Sequence, residues 1–191
     1  MEAMKNTLIF LSVSVICFFG CAGSMKNAIL SEPVKVNAGK LSLVVDSLEI
    51  VDGRDAADDR ELKIPFFCLS KKRDEVRPIL TEEHRNIITK EIGHFTSDSG
   101  IPVRVAVSLV YGIKKFEGAA FLEKEFVKTA LKVEIFDGKH EPFLLSTTGE
   151  ANLEVKSLSA SNDYLEKLYK KCIRMSLLKA LESLNTLETA E

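Results

Sequence analysis

From Leu8 to Phe19 the chain is almost unbroken apolar sequence, with Lys5 ahead of it and Gly20, Cys21, Ala22 and Gly23 behind. A positive start, a short apolar core and small residues at its end make a secretory signal peptide, which is removed rather than folded. As a helix, residues 7–20 would span only ~21 Å at ~1.5 Å per residue, short of the ~30 Å hydrocarbon core of a bilayer. Residues 1–20 are therefore read as the signal peptide. Residues 21–40 mix Gly, Ser, Asn, Pro and Lys with scattered apolar positions and no period. That composition predicts a tether, extended around Pro33.

Period two begins at Leu41. The stretch Leu41–Val51 is rich in β-branched residues and Leu, stops at Asp52-Gly53, and predicts a first strand. Apolar residues stand at 41, 43 and 45 and then at 48 and 50, so the phase slips near Asp46-Ser47. A bulge there, or burial on both faces, accounts for the slip. Residues 52–78 are irregular: a charged DGRDAADDRELK, an apolar IPFFCL that suits a short edge strand because of Pro65, and a charged KKRDEVRP. The period then changes to 3.6. Thr81 is a good N-cap, Glu82 and Glu83 suit the positive end of a helix dipole, and Ile88, Ile92 and Phe95 share one face with Ile87 beside them. A helix is predicted over 81–97.

The strongest strand signal is IPVRVAVSLVYGI, in which every odd position from Ile101 to Ile113 is apolar. After a loop through Gly118 the odd frame returns with Val127, Thr129, Leu131, Val133 and Ile135, reaches a tight-turn signal at Asp137-Gly138, and resumes with Phe143, Leu145, Thr147, Ala151, Leu153 and Val155. This predicts a three-stranded antiparallel meander with one covered and one wetter face. A closing helix is capped by Ser161 or Asn162, with Tyr164, Leu165, Leu168, Cys172 and Met175 on one face and residues 187–191 fraying. The order β-α-β-β-β-α over 41–186 predicts an α+β domain, two helices on one face of a mostly antiparallel sheet of about four strands.

Composition narrows the function classes. The chain has 191 residues, 26 Lys+Arg and 28 Asp+Glu, for a net charge of −2. That balance argues against a nucleic-acid partner or a broad anionic-lipid patch, and the length suits one domain with a real core. Once the signal peptide is gone, Cys68 and Cys172 are the only thiols besides Cys21. An exported protein meets oxidising conditions, so a Cys68–Cys172 disulfide is allowed; it would close a loop of about 104 residues and contribute ~4–5 kcal/mol in the chain-entropy model. The alternative is two buried thiols packed as small hydrophobes.

Candidate chemistry is sparse. His84, His94 and His140 lack metal-ligand spacing and read as surface or helix-end residues. Asp52, Asp55, Asp58 and Asp59 are interleaved with Arg54 and Arg60, which favours a solvated acidic turn over a calcium loop. No phosphate loop, dinucleotide glycine pattern or nucleophile elbow is present, so no catalytic residue and no cofactor is assigned. Lys167, Lys170 and Lys171 lie opposite the apolar face of the closing helix, where a solvated face explains them more simply than headgroup binding. The loop KKFEGAAFLEKEF presents Phe116, Phe121 and Leu122 as candidate contacts for a partner; the alternative is that they fold back over the core.

The ending Phe18-Phe19-Gly20-Cys21 resembles the lipobox of bacterial lipoproteins, with Phe18 in place of the usual Leu. The resemblance implies cleavage between Gly20 and Cys21, diacylation of the Cys21 sulfur, and, with Ala22 rather than Asp next, the outer membrane facing the periplasm. With the lipobox, the strand ending Asp52-Gly53-Arg54, helix 81–97, the meander with its Asp137-Gly138 turn and the closing helix, the chain resembles the YajG-type putative lipoproteins. It is similar in layout, more loosely, to the lipoprotein subunit of the lipopolysaccharide translocon. These families imply no catalytic residues. The expectation is a lipid-anchored, non-enzymatic envelope module that binds an envelope protein or supports assembly. The rival readings are a lipid or lipopolysaccharide handling protein and an envelope enzyme with an unreadable site.

Overall fold

One long strand, β3 (Ile101–Ala119), organises the sheet. A computed structural model describes residues 26–34, 41–58, 60–66, 70–119, 122–137, 143–157 and 159–188. Along β3, Val103, Val105, Val107 and Leu109 are buried as the odd frame predicts. A bulge between Leu109 and Tyr111 then shifts the phase, so Gly112, Phe116 and Gly118 become buried and Tyr111 turns outward at 39% exposure. The predicted frame thus holds from Val103 to Leu109, and beyond the bulge Phe116 joins the core, because an extra residue sends the following side chains to the opposite face. Ile113 is also buried, at 6%, but outside the core cluster, and Ile101 is exposed.

β4 (Leu122–Asp137) pairs antiparallel with β3, and β5 (Phe143–Ser157) antiparallel with β4, which is the predicted meander. β3 runs to Ala119 and β4 starts at Leu122, so the loop expected over 114–126 is a continuous hairpin. β1 (Leu43–Asp52) runs parallel to the first half of β3, and its register breaks between Val45 and Ser47, where the phase slip predicts a bulge. β2 (Lys72–Val76) runs antiparallel to the second half of β3. β1 and β2 therefore share one edge of β3, and the sheet has five strands, ordered β1-β3-β4-β5 with β2 beside β3.

The fifth strand corrects the sequence reading, which placed the edge strand at Ile64–Leu69. Residues 60–66 form no strand; Phe67, Cys68 and Leu69 lie outside the described residues. β2 falls instead in the charged KRDEV, where only Val76 is buried. A short edge strand needs no apolar face when its backbone is paired and its side chains are mutually bridged. Here Arg60 holds Asp74 at 2.7 Å, and Arg73 lies 3.6 Å from Glu117.

Among the described residues three helices accompany the sheet. α1 is described over 26–31, α2 is Glu82–Phe95 and α3 is Asn162–Glu188. α3 lies across β4 and β5, and α2 packs beside α3. Leu165, Leu168, Cys172, Ile173, Leu177 and Leu184 join Ile88, Ile92 and the inward residues of β3 and β4 in a single buried cluster. α3 approaches the sheet closely where its side chains are small. Ser176 Oγ bonds the Thr129 carbonyl at 3.0 Å, and Cys172 Sγ lies 3.1 Å from the Ala151 carbonyl. Cys172 is a free, fully buried thiol among the described residues and packs as a small hydrophobe; Cys68, the other half of the allowed disulfide, lies outside the described residues.

The largest departure is at the N-terminal end. The 21–40 stretch, expected to be an extended tether, contains α1, which is folded onto the domain. Ile29 and Leu30 pack on the core, Tyr164 donates to the Lys26 carbonyl at 3.0 Å, and Lys171 donates to the Ile29 and Glu32 carbonyls. So short a helix has no sequence period to show; tertiary contacts hold it.

Candidate functional site

The Asp52-Gly53-Arg54 stretch lies where β1 leaves β3 and β2 takes over. Gly53 N still bonds the Leu109 carbonyl at 3.1 Å, and the Arg54 guanidinium then bridges the gap. It donates to both Asp52 carboxylate oxygens at 2.7 and 2.5 Å, to the Gly112 carbonyl at 3.1 Å and to the Pro78 carbonyl at 2.7 Å. Burial works to raise the Asp52 carboxyl, but the bonds from Arg54 outweigh it and leave it lowered. Arg54 thereby joins β1, the β3 bulge and the segment leading into α2.

A second charged group lies behind it. His84 sits at the third position of α2, where its Nδ1 accepts from Thr81 N at 3.2 Å while Thr81 Oγ1 accepts from His84 N. This reciprocal cap makes Nδ1 an acceptor, so Nε2 carries the hydrogen and donates to Glu166 Oε1 at 2.8 Å. Lys114 of β3 holds the other Glu166 oxygen. Burial would raise the Glu166 carboxyl, yet His84 and Lys114 hold it down at about 2. The His84 ring meets Tyr169 edge-on at 5.3 Å, and Lys114 Nζ lies 5.5 Å from the Tyr169 ring centre. Tyr169 is fully buried, its hydroxyl makes no hydrogen bond among the described residues, and burial pushes its pKa up.

Above this group opens a cleft of about 430 Å³, lined by Asp58, Arg60, Pro78, Thr81, His84, Lys114, Asn162 and Glu166 among others. Thr81, His84 and Glu166 form a hydroxyl–imidazole–carboxylate string, the order that a nucleophilic relay uses. Its parts are otherwise engaged: the Thr81 hydroxyl caps α2 and the Glu166 carboxylate neutralises Lys114. The arrangement acts as a staple between α2, β3 and α3. Among the described residues no cluster of three or more His, Cys, Asp or Glu is placed to hold a metal ion.

A third group fastens α1. Lys26 Nζ lies 3.1 Å from Glu125 Oε1, donates to the Ser159 carbonyl and sits 4.4 Å over the Tyr164 ring. Glu125 is fully buried, accepts from Ser161 N at 3.0 Å, and has no partner for Oε2 among the described residues; burial raises its pKa against the pull of Lys26. Beside it Glu123 accepts from Ala160 N at 2.6 Å. Two inward carboxylates thus meet the start of α3, where negative charge is favoured, and Ser161 caps the helix through Tyr164 N at 3.2 Å.

The sequence-predicted residues fall differently. Phe116 is fully buried in the core, so it is not a partner contact. Leu122 is 52% exposed at the start of β4. Phe121, Gly20, Cys21, Cys68, Asp59 and His140 lie outside the described residues. His84, read as a surface or helix-end residue, is helix-end but buried, whereas His94 is exposed. Lys167 pairs with Asp163, Lys170 with Glu83, and Lys171 holds α1. Arg54, Lys26, Lys114, Glu166 and Tyr169 were missed. The one local signal was the Thr81–His84 spacing of a capping box.

No protein-family model matches the sequence, and no curated protein sequence matches it. Among solved structures the chain is similar to protein XCC0632 from Xanthomonas campestris, described by the family model DUF330, at 9% identity over 82% of this chain and 94% of that chain, with a TM-score of 0.46.

Proposed function

We propose that this chain is a lipid-anchored protein of the bacterial envelope, held at the outer membrane through Cys21, whose α+β domain serves as a non-enzymatic binding or assembly module. The observation that supports it is the N-terminal sequence, Lys5 followed by the apolar run Leu8–Phe19 and Gly20-Cys21. Five residues after Cys21, Lys26 begins the segment that docks on the domain. The residues upstream have the charge and apolar run of a signal peptide and the spacing of a lipobox. In the cleft the Thr81 hydroxyl caps α2 and the Glu166 carboxylate pairs with Lys114, so these groups hold the fold together.

Cys21→Ala removes the thiol that acylation needs. The variant is expected to lose incorporation of radiolabelled palmitate and to leave the membrane fraction. Retained labelling would overturn the reading.

A further inference from the structure

The reach of the chain between Cys21 and Lys26 limits how the domain can stand on a membrane. Lys26 is fixed beside Glu125, Ser159 and Tyr164, at the end of the domain where β4 and α3 begin. Five residue steps from Cys21 span at most about 18 Å when fully extended. Glu125 lies three residues from the start of β4, or about 10 Å along the strand, and twelve from its end at Asp137, or about 40 Å. A lipid on Cys21 therefore cannot hold the Asp137 end against the bilayer with the strands upright. The hairpin end is within reach.

That end also has the side chains a membrane surface favours. Leu122 is 52% exposed, and Phe66, in the connection entering β2 at Lys72 opposite Gly118, is fully exposed. Around them Lys71, Lys72 and Lys156 are exposed, and the Arg73 side chain is 60% exposed. Apolar side chains collared by cations suit the boundary between acyl chains and anionic headgroups. Along the broad sheet face Lys124–Glu154, Lys128–Glu150 and Lys132–Glu134 pair charges of both signs, as Arg73–Glu117 and Lys115–Glu117 do nearer the hairpin end, where Lys71, Lys72 and Lys156 add positive charge.

We infer that the β3–β4 hairpin end, carrying Leu122, Phe66 and the Lys71–Arg73 cations, rests on a phospholipid bilayer containing anionic lipid while the Asp137 end points away. This rests on the lipoprotein reading. The test uses full-length protein matured in a bacterial host, with Cys68→Ser to remove one reactive thiol. Cys172 is fully buried, and the Cys21 sulfur is blocked once acylated. An environment-sensitive fluorophore is placed at Leu122→Cys in one variant and at Leu144→Cys, exposed near the other end, in a second. Both are reconstituted in phosphatidylethanolamine–phosphatidylglycerol vesicles carrying a headgroup spin label. The expected result is several-fold stronger quenching at position 122 than at 144. Equal or reversed quenching, in protein that floats with the vesicles and carries lipid by mass, overturns this inference and leaves the lipoprotein reading intact. Protein that matures without lipid overturns both.

Discussion

Individual residues in this domain are constrained most where a helix meets the sheet. At Gly149 of β5 a Cβ would overlap the Ser176 carbonyl oxygen and lie 2.5 Å from Ala180 N, so both obstacles are backbone of α3. At Gly112 a Cβ would overlap the Tyr169 hydroxyl, in a position that also lies 3.0 Å from Arg54 Nη1. Neither glycine needs a left-handed backbone; each is required by close approach. Gly149→Ala must push α3 away from β5 and loosen the Ser176 and Cys172 contacts. The expected loss is about 3 kcal/mol, a fall in Tm of roughly 6–12 °C, read by thermal denaturation. An unchanged Tm would mean that α3 does not sit so close.

Among the elements, α1 depends most on contacts outside itself. A buried ion pair, a few carbonyl bonds and the packing of Ile29 and Leu30 dock it, and the buried Glu125 carboxylate depends on Lys26 for its counter-charge. Breaking a buried pair by removing one member is strongly destabilising because the remaining charge is uncompensated. Lys26→Ala should therefore release 26–34 without unfolding the meander. Local opening becomes easier by about 3 kcal/mol, which speeds amide exchange at the 28–32 end roughly a hundredfold. Exchange in β3 and β4 should keep its protection. If Glu32 N, which bonds the Ala28 carbonyl at 2.9 Å, exchanges as slowly as before, the clamp is not what holds the helix. The meander is different in kind, because a continuous ladder and an apolar inner face support it.

For the whole molecule, the charged staples couple stability to pH. Hydrogen bonding from Arg60 holds Asp74 down at about 2, and Glu166 is held down at about 2 by His84 and Lys114 against its burial. Both carboxyls titrate lower when folded than their ordinary values of 3.8 and 4.5, so the unfolded chain binds more protons in the window between. The stability they contribute is present above about pH 4.5 and is lost as pH falls toward 2. Glu166→Gln removes the larger shift. Its stability, measured by urea unfolding, should lie below wild type at pH 7, and the gap should narrow between about pH 5 and pH 2 by up to about 1.4 kcal/mol per pH unit. Parallel curves over that range would show that Glu166 is not held in the charged form by folding.

The sequence by itself determined the elements whose own side chains carry a period. β1 with its bulge at Asp46, the meander, α2 with its Thr81 cap and α3 with its Ser161 cap all follow from apolar spacing and capping residues. Such signals are local, because they express how a segment buries one face and satisfies its own ends. Only the tertiary structure decided the rest. β2 is a strand because β3 is long enough to pair it beyond β1, although its residues are nearly all charged. The register of β3 shifts between Leu109 and Tyr111, next to Gly112, where the absence of a side chain leaves room for Tyr169 and Arg54. α1 folds because Glu125, three residues into β4, presents a buried carboxylate to Lys26 across 99 positions of chain. Charged groups far apart in sequence carry no shared period, and what makes each tolerable inside the domain is a partner that folding alone supplies.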